Sequence, residues 1–189
     1  MNKTLLVATC SSILNFAFFE YYFVFGIVSK SWWLLTLGVY YFILGLVRLS
    51  VLITKNKKYS VTKLGGGMLI FLCIPLMGTV LLSLAKDRGH QFPIILMITI
   101  AVYAFTKITL ATINLIKRRN RESGTLYTLC SISFADGFVS IFALQRSMLV
   151  SFEGMTSGEI LAMNAMTGVA VCAIVFLLGL NLIKAKRER

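Results

Sequence analysis

Long apolar segments alternate with short polar connections along the whole chain. Six such windows lack the period-two alternation of membrane strands, and they cover residues 4–28, 32–53, 64–84, 93–116, 126–150 and 160–183. Each window is near or above the roughly 20 residues with which a helix crosses a bilayer, and about twice the length of a barrel strand. The pattern predicts an all-α bundle of six transmembrane helices in a single transmembrane domain, residues 1–189. Because the connections are short, we expect the helices to pack as antiparallel hairpins.

Composition points to the same class of protein. Of the 189 residues, 58% are hydrophobic and 14% are charged, and the mean hydropathy is +0.84. A soluble domain is usually about 45–50% apolar and about 25% charged. The chain therefore has too few polar residues to cover a surface that faces water, and a multi-pass membrane protein is predicted.

The net charge of +12 is distributed unevenly along the chain. Thirteen of the nineteen Lys and Arg residues lie at the N-terminus, in the second and fourth connections, and in the C-terminal tail. By the positive-inside rule these segments are cytoplasmic, which places both termini on the cytoplasmic side of the cell membrane. The basic segments carry no recognisable signature of a nucleic-acid-binding fold, so we expect anionic lipid headgroups as their partners and no nucleic acid.

Two opposite charges lie deep inside apolar windows. Lys107 is fourteen residues from the outer end of the fourth window and Asp136 is fourteen residues from that of the fifth, or about 21 Å along each helix. An unpaired charge at the bilayer centre costs about 2.5 kcal/mol or more. We therefore expect Lys107 and Asp136 to form a direct ion pair that faces the interior of the bundle.

Polar residues accompany both charges at helical spacing, which predicts a polar seam between the fourth and fifth helices. Its members are Tyr103, Lys107 and Asn114 on one helix, and Ser133, Asp136 and Ser140 on the other. One interpretation is a path for a solute or a proton, because ionisable groups inside membranes are usually functional. The other is a static pair that fixes the register of the helices.

A second carboxylate, Glu20, lies about 12 Å from the outer end of the first window. Arg146 is about 6 Å from the outer end of the fifth window and is the expected partner of Glu20, with Gln145 beside it. Low-dielectric surroundings favour the neutral form of an imperfectly paired carboxyl group. One interpretation is that Glu20 takes up protons or holds a cationic solute, and the other is that it only pairs with Arg146 as part of the scaffold. The stability of Glu20→Gln against pH would distinguish the two. Arg48, near the inner end of the second window, is expected to reach the cytoplasm with its long side chain and to be structural.

No motif for catalysis or metal binding is present. The four cysteines lie in apolar windows without CxxC spacing, and the single histidine, His90, lies in a polar connection. HExxH, GxSxG and Walker patterns are absent. We expect no enzymatic activity, no disulfide, no metal and no cofactor.

Two stretches, "SWWLLTLGVYYFILGLVR" (31–48) and "YAFTKITLATINLIK" (103–117), resemble a group of small, uncharacterised six-span bacterial membrane proteins. The resemblance implies a membrane bundle and no particular activity. Faces of small residues, such as Gly38 with Gly45, and Ala165 with Gly168 and Cys172, indicate either internal packing or a seam of a homo-oligomer. The sequence favours binding or transport of a small solute through the seam. The alternative is a non-transporting subunit or sensor that assembles with a membrane partner protein.

Overall fold

Six α-helices account for nearly all of the residues that the computed structural model describes, which are 3–54, 58–84, 94–118, 124–151 and 155–184. The helices are α1 (Lys3–Val28), α2 (Trp32–Ile53), α3 (Lys58–Leu84), α4 (Ile94–Arg118), α5 (Gly124–Ser151) and α6 (Ser157–Lys184). These elements follow the six apolar windows, and the all-α class is confirmed. The largest difference is at α3, which begins six residues before the apolar window does.

Five of the helices are long and apolar enough to cross a membrane. They contain the spans Thr9–Val28, Trp32–Ile53, Val61–Leu84, Gly124–Leu149 and Ser157–Lys184. In α4 the described apolar part is shorter, Ala104–Ile116. Many large aliphatic and aromatic side chains also lie on the outer surface of the bundle, as expected where lipid replaces water. These features are compatible with a membrane protein.

Helices α2 and α5 form the centre of the bundle and bury the largest part of their lengths. Helix α2 packs against α1, α3 and α5, whereas α5 packs against α2, α3, α4 and α6. The inner face of α2 repeats at helical spacing with Leu37, Tyr41, Leu44 and Val51, all at most 3% exposed. Any polar group on these inner faces is therefore enclosed by several helices.

The packing of α3 differs from the expectation that successive helices form pairs. Its most extensive contacts are with α6, and α3 with α4 is not among the extensively packed pairs in the described part of the chain. A Cβ atom added at Gly66 would lie 2.8 Å from the Gly179 carbonyl oxygen, and one at Gly168 would lie 2.7 Å from the Val80 side chain. Glycine thus lets α3 and α6 approach more closely than larger residues permit.

Small residues on α2 serve the same purpose against α1. A Cβ atom added at Gly38 would lie 3.3 Å from the Phe23 amide nitrogen, and one at Gly45 would lie 3.1 Å from the Phe16 ring. The faces that contain Gly38, Gly45 and Gly168 are therefore occupied within the chain.

The adjacent glycines Gly66 and Gly67 provide a test of the close contact between α3 and α6. Gly66→Ala should lower the free energy of unfolding by about 1–3 kcal/mol, because backbone atoms of α6 must move. Gly67 has open space around its Cα atom, so Gly67→Ala should be neutral or stabilise the helix by about 0.5–1 kcal/mol. Unfolding in detergent measures both variants. Equal effects would contradict the close contact at Gly66.

Candidate functional site

Asp136 lies at the centre of the bundle and is fully buried on α5. Its Oδ2 atom accepts a hydrogen bond from Arg48 Nη2 of α2 at 2.7 Å. Its Oδ1 atom lies 2.8 Å from Lys107 Nζ of α4. One carboxylate thus bridges cations from two other helices. We refer to Arg48, Lys107 and Asp136 as the central charge cluster.

The expectation that Arg48 reaches the cytoplasm is wrong. Its side chain is 2% exposed, and besides Asp136 it donates a hydrogen bond to Ser11 Oγ of α1. The inward position follows from helical spacing, since Arg48 lies seven residues after Tyr41 and four after Leu44 on the buried face of α2. That spacing was the available signal. The position of Arg48 near the end of its window points instead to the cytoplasm, and the structure shows that the helical spacing is the better guide.

Ser140 and two aromatic rings also surround Lys107. Ser140 Oγ accepts a hydrogen bond from Lys107 Nζ at 3.3 Å and donates one to the Asp136 carbonyl oxygen at 2.8 Å. The Tyr41 hydroxyl lies 3.3 Å from the same Ser140 oxygen. Lys107 Nζ also lies 5.9 Å and 5.8 Å from the ring centroids of Phe18 and Tyr41, within the range of cation–π attraction. Four helices, α1, α2, α4 and α5, therefore contribute to the site.

Two other residues of the expected seam, Asn114 and Ser133, are not part of this cluster. Asn114 is exposed and Ser133 is half-buried, while the side chain of Tyr103 lies outside the described part. Asn114 shares a face of α4 with Lys107 but is two turns away, about 10.5 Å along the axis. Among described residues α4 packs extensively only against α5, so no further helix covers Asn114. Among the described side chains, the polar region is formed by four helices and does not continue toward Asn114 as a stripe along two.

The expected outer-half site around Glu20 is not assembled. Glu20 is exposed on α1. Arg146 is 2% exposed and places its guanidinium carbon 4.6 Å from the centroid of the Trp33 ring on α2. Within the described residues no ion pair joins Glu20 to Arg146. Gln145 instead donates a hydrogen bond to Thr167 Oγ1 of α6 at 3.0 Å.

The pairing of Glu20 with Arg146 was inferred from similar depths. Depth gives no information on the direction in which each residue points around its helix axis, and α1 and α5 are not an extensively packed pair. The role expected for Glu20 as a protonatable group stays a prediction. Without Arg146 as a partner, the only support for that prediction is the depth of Glu20 in its window.

The cluster consists of paired charges, and the described residues provide no set of metal ligands. In the described segments, no group of three or more His, Cys, Asp or Glu side chains is placed to hold a metal ion. The arrangement combines two cationic donors, one carboxylate and three hydroxyl groups, with Arg48 and Asp136 buried and Lys107 12% exposed. Such a site can bind or exchange a small charged or hydrogen-bonding species.

Comparison with known proteins gives no match. No family model fits the chain, and neither a curated protein nor a solved structure is similar to it.

We predict unequal effects when single charges are removed from the cluster. Asp136→Asn leaves two cations uncompensated and should cost about 3–5 kcal/mol of unfolding free energy. Lys107→Met should cost less, because Asp136 keeps its bond to Arg48. The double variant should lose less unfolding free energy than the sum of the two single losses. It should still be less stable than the wild type, since Arg48 then lacks its carboxylate. Unfolding in detergent gives all four values.

A matched control replaces Lys107→Met with Glu20→Gln in the same cycle. Glu20 does not contact the cluster, so its effect should add to that of Asp136→Asn within about 0.5 kcal/mol. If the Lys107 and Asp136 losses were also additive, the two side chains would not be coupled and the bridged arrangement would be rejected.

Proposed function

We propose that the chain is a six-span protein of the cell membrane, with both termini cytoplasmic, which binds and transfers a small solute at the central charge cluster. The observation that carries the proposal is the convergence of Arg48, Lys107 and Asp136 from three helices in a buried site. Ionisable groups inside a membrane are costly and are generally found at sites of binding or transport.

The contacts between helices support the topology. Along α1 and α2, Gly26 contacts Leu35 and Ser12 donates to the Gly45 carbonyl, so residue numbers rise on one helix as they fall on the other. This order favours an antiparallel arrangement. Helix α4 has 25 residues, about 37 Å of helix, which is long enough to be the sixth span. The basic connections then fall on one side, where anionic headgroups interact with them.

Transfer of a solute is supported by the way in which the charges are divided among helices. Arg48, Asp136 and Lys107 are on α2, α5 and α4, and Ser11 connects Arg48 to α1. A solute that changes the balance of charge in the cluster changes the attraction among all four helices. Coupling between occupancy and helix packing is what a transporter requires. A purely static cluster would fix register without responding to a ligand.

The exposed position of Glu20 favours a second function. A carboxylate on the outer surface of α1 at this depth is costly if it faces lipid, and within the described segments α1 packs extensively only against α2. A membrane partner protein, or a second copy of the chain, that covers this face would remove the cost. In that case the protein is a non-transporting subunit or sensor, and the central charge cluster is structural.

The topology is tested by accessibility of single cysteines introduced into a variant without the four native thiols. Lys57→Cys and Asn120→Cys should react with membrane-impermeant reagent only after the cells are opened, because both lie in basic connections. Met155→Cys should react in intact cells. The opposite labelling pattern would contradict the orientation, and labelling of Lys57→Cys and Asn120→Cys from different sides would contradict the number of spans.

Native mass spectrometry of protein released from mild detergent tests the function. We expect a small molecule bound to the wild type and lost in Lys107→Met, whereas Lys63→Met, which changes an exposed lysine of α3, should retain it. Both variants are first compared with the wild type by size-exclusion chromatography. A bound polypeptide without a small molecule would favour the subunit function. Retention of the small molecule by Lys107→Met would place its site elsewhere.

A further inference from the structure

The central charge cluster contains more positive than negative charge. Arg48 and Lys107 are two cations, and Asp136 is the carboxylate that pairs with both of them among the described residues. The cluster therefore has one formal positive charge in excess. Burial strengthens the energetic consequence, because the low dielectric of the interior makes an uncompensated charge far more costly than in water. A bound anion of single charge compensates this excess.

Two hydrogen-bond donors near the cluster provide an independent observation. Arg48 Nε and the Tyr40 hydroxyl are both buried and have no hydrogen-bond acceptor among the described residues. Tyr40 is fully buried on α2, and its ring packs edge-on against that of Tyr41, with 5.6 Å between the ring centroids. A buried donor that lacks an acceptor is destabilising. An acceptor that serves both donors and carries negative charge satisfies both observations together.

From this combination we propose that the solute of the cluster is a small monovalent anion, of halide, nitrate or short carboxylate type, bound beside Arg48 with Asp136 as a tethered competitor. The inference rests on the proposed function for the choice of site. Asp136 already occupies one anion position, between Arg48 Nη2 and Lys107 Nζ. A soluble anion uses the remaining positive charge and the donors that Asp136 does not reach.

The charge balance also limits the class of solute. A cation would raise the excess to two positive charges in the same volume, and a neutral solute would leave it unchanged. A dianion would reverse its sign. Another buried cation, Arg146, lies ten residues beyond Asp136 on α5, about 15 Å along the helix. Positive charge therefore occurs at two depths of the interior, which suits the passage of an anion.

The experiment measures thermal unfolding of the purified protein in uncharged detergent while the anion is varied. Sodium chloride, nitrate or formate replaces sodium gluconate at constant ionic strength, because gluconate is too large for a buried site. Wild-type unfolding temperature should rise in a saturable way, by about 3–6 °C at a tenfold excess over Kd. The anion that gives the lowest Kd identifies the size and shape of the site.

Tyrosine variants separate a site in the cluster from a general salt effect. Tyr40→Phe removes only the buried hydroxyl and should weaken the apparent affinity about tenfold to hundredfold. Tyr21→Phe removes the hydroxyl of a tyrosine that is 40% exposed on α1 and should leave the affinity unchanged. Equal stability of the wild type in all four salts, or equal behaviour of the two variants, would overturn the inference.

A variant without the competing carboxylate gives a second readout. Asp136→Asn should depend on the anion more strongly than the wild type does, and formate, the smallest carboxylate, should restore part of the lost stability. An anion dependence no larger than that of the wild type contradicts the role of Asp136 as competitor. Where Asp136→Asn is not obtained folded in any salt, the Tyr40→Phe and Tyr21→Phe comparison decides the inference.

The results also separate this inference from the proposed transfer of solute. An anion that stabilises the protein saturably supports the anion site. If vesicles containing the protein do not take up that anion, the proposed transport is contradicted while the anion site remains. A neutral or cationic molecule bound at the cluster, with no effect of anions, overturns the anion site and leaves solute binding in place.

Discussion

The interior of this bundle depends on a single carboxylate that faces two cations. Asp136 is fully buried, and both of its oxygens lie within 2.8 Å of a cationic nitrogen. Each charge would be prohibitive alone at this depth, and the attraction between them offsets much of the desolvation cost. Because the three groups come from α2, α4 and α5, that attraction also determines which faces of those helices point inward. Ion pairing thus determines the arrangement of these three helices together with their packing.

Close packing of small residues supplies the second constraint. Within a membrane, helices gain little from hydrophobic burial against each other, since lipid is equally apolar. Association must come from van der Waals contact and polar contacts. Gly66, Gly168 and Gly179 permit this contact between α3 and α6, and Gly38 and Gly45 permit it between α1 and α2. The charge cluster joins α2, α4 and α5, so each of the six helices takes part in at least one of the two types of interaction.

Among the described residues, the cluster that organises the helices keeps one formal positive charge in excess, and Arg48 Nε and the Tyr40 hydroxyl have no hydrogen-bond acceptor. A purely structural network is most stable when every member is satisfied. An apolar core, or a simple pair of one cation and one carboxylate, would hold the helices at lower cost. The retained excess is the reason to regard the site as functional, and the competition between Asp136 and an external anion gives it a chemical meaning.

The sequence alone determined the class of protein, because hydropathy depends only on composition along the chain. Window length and polarity predicted six helices close to their observed bounds, and the depth of Lys107 and Asp136 brought attention to both residues. The spacing of Arg48 from Leu44 and Tyr41 also contained its inward direction, although its position near the end of the window suggested otherwise.

Other features were decided only by the tertiary structure. Which helices pack together depends on the direction of each face around its axis, and depth along the chain contains no such information. Glu20 and Arg146 have similar depths yet point to different surroundings, and α3 packs on α6, far from it in sequence. The convergence of Arg48, Lys107, Ser11 and Tyr41 on one carboxylate likewise requires four helices to meet. A charge cluster of this kind is a property of the assembled bundle, because no single helix contains more than a part of it.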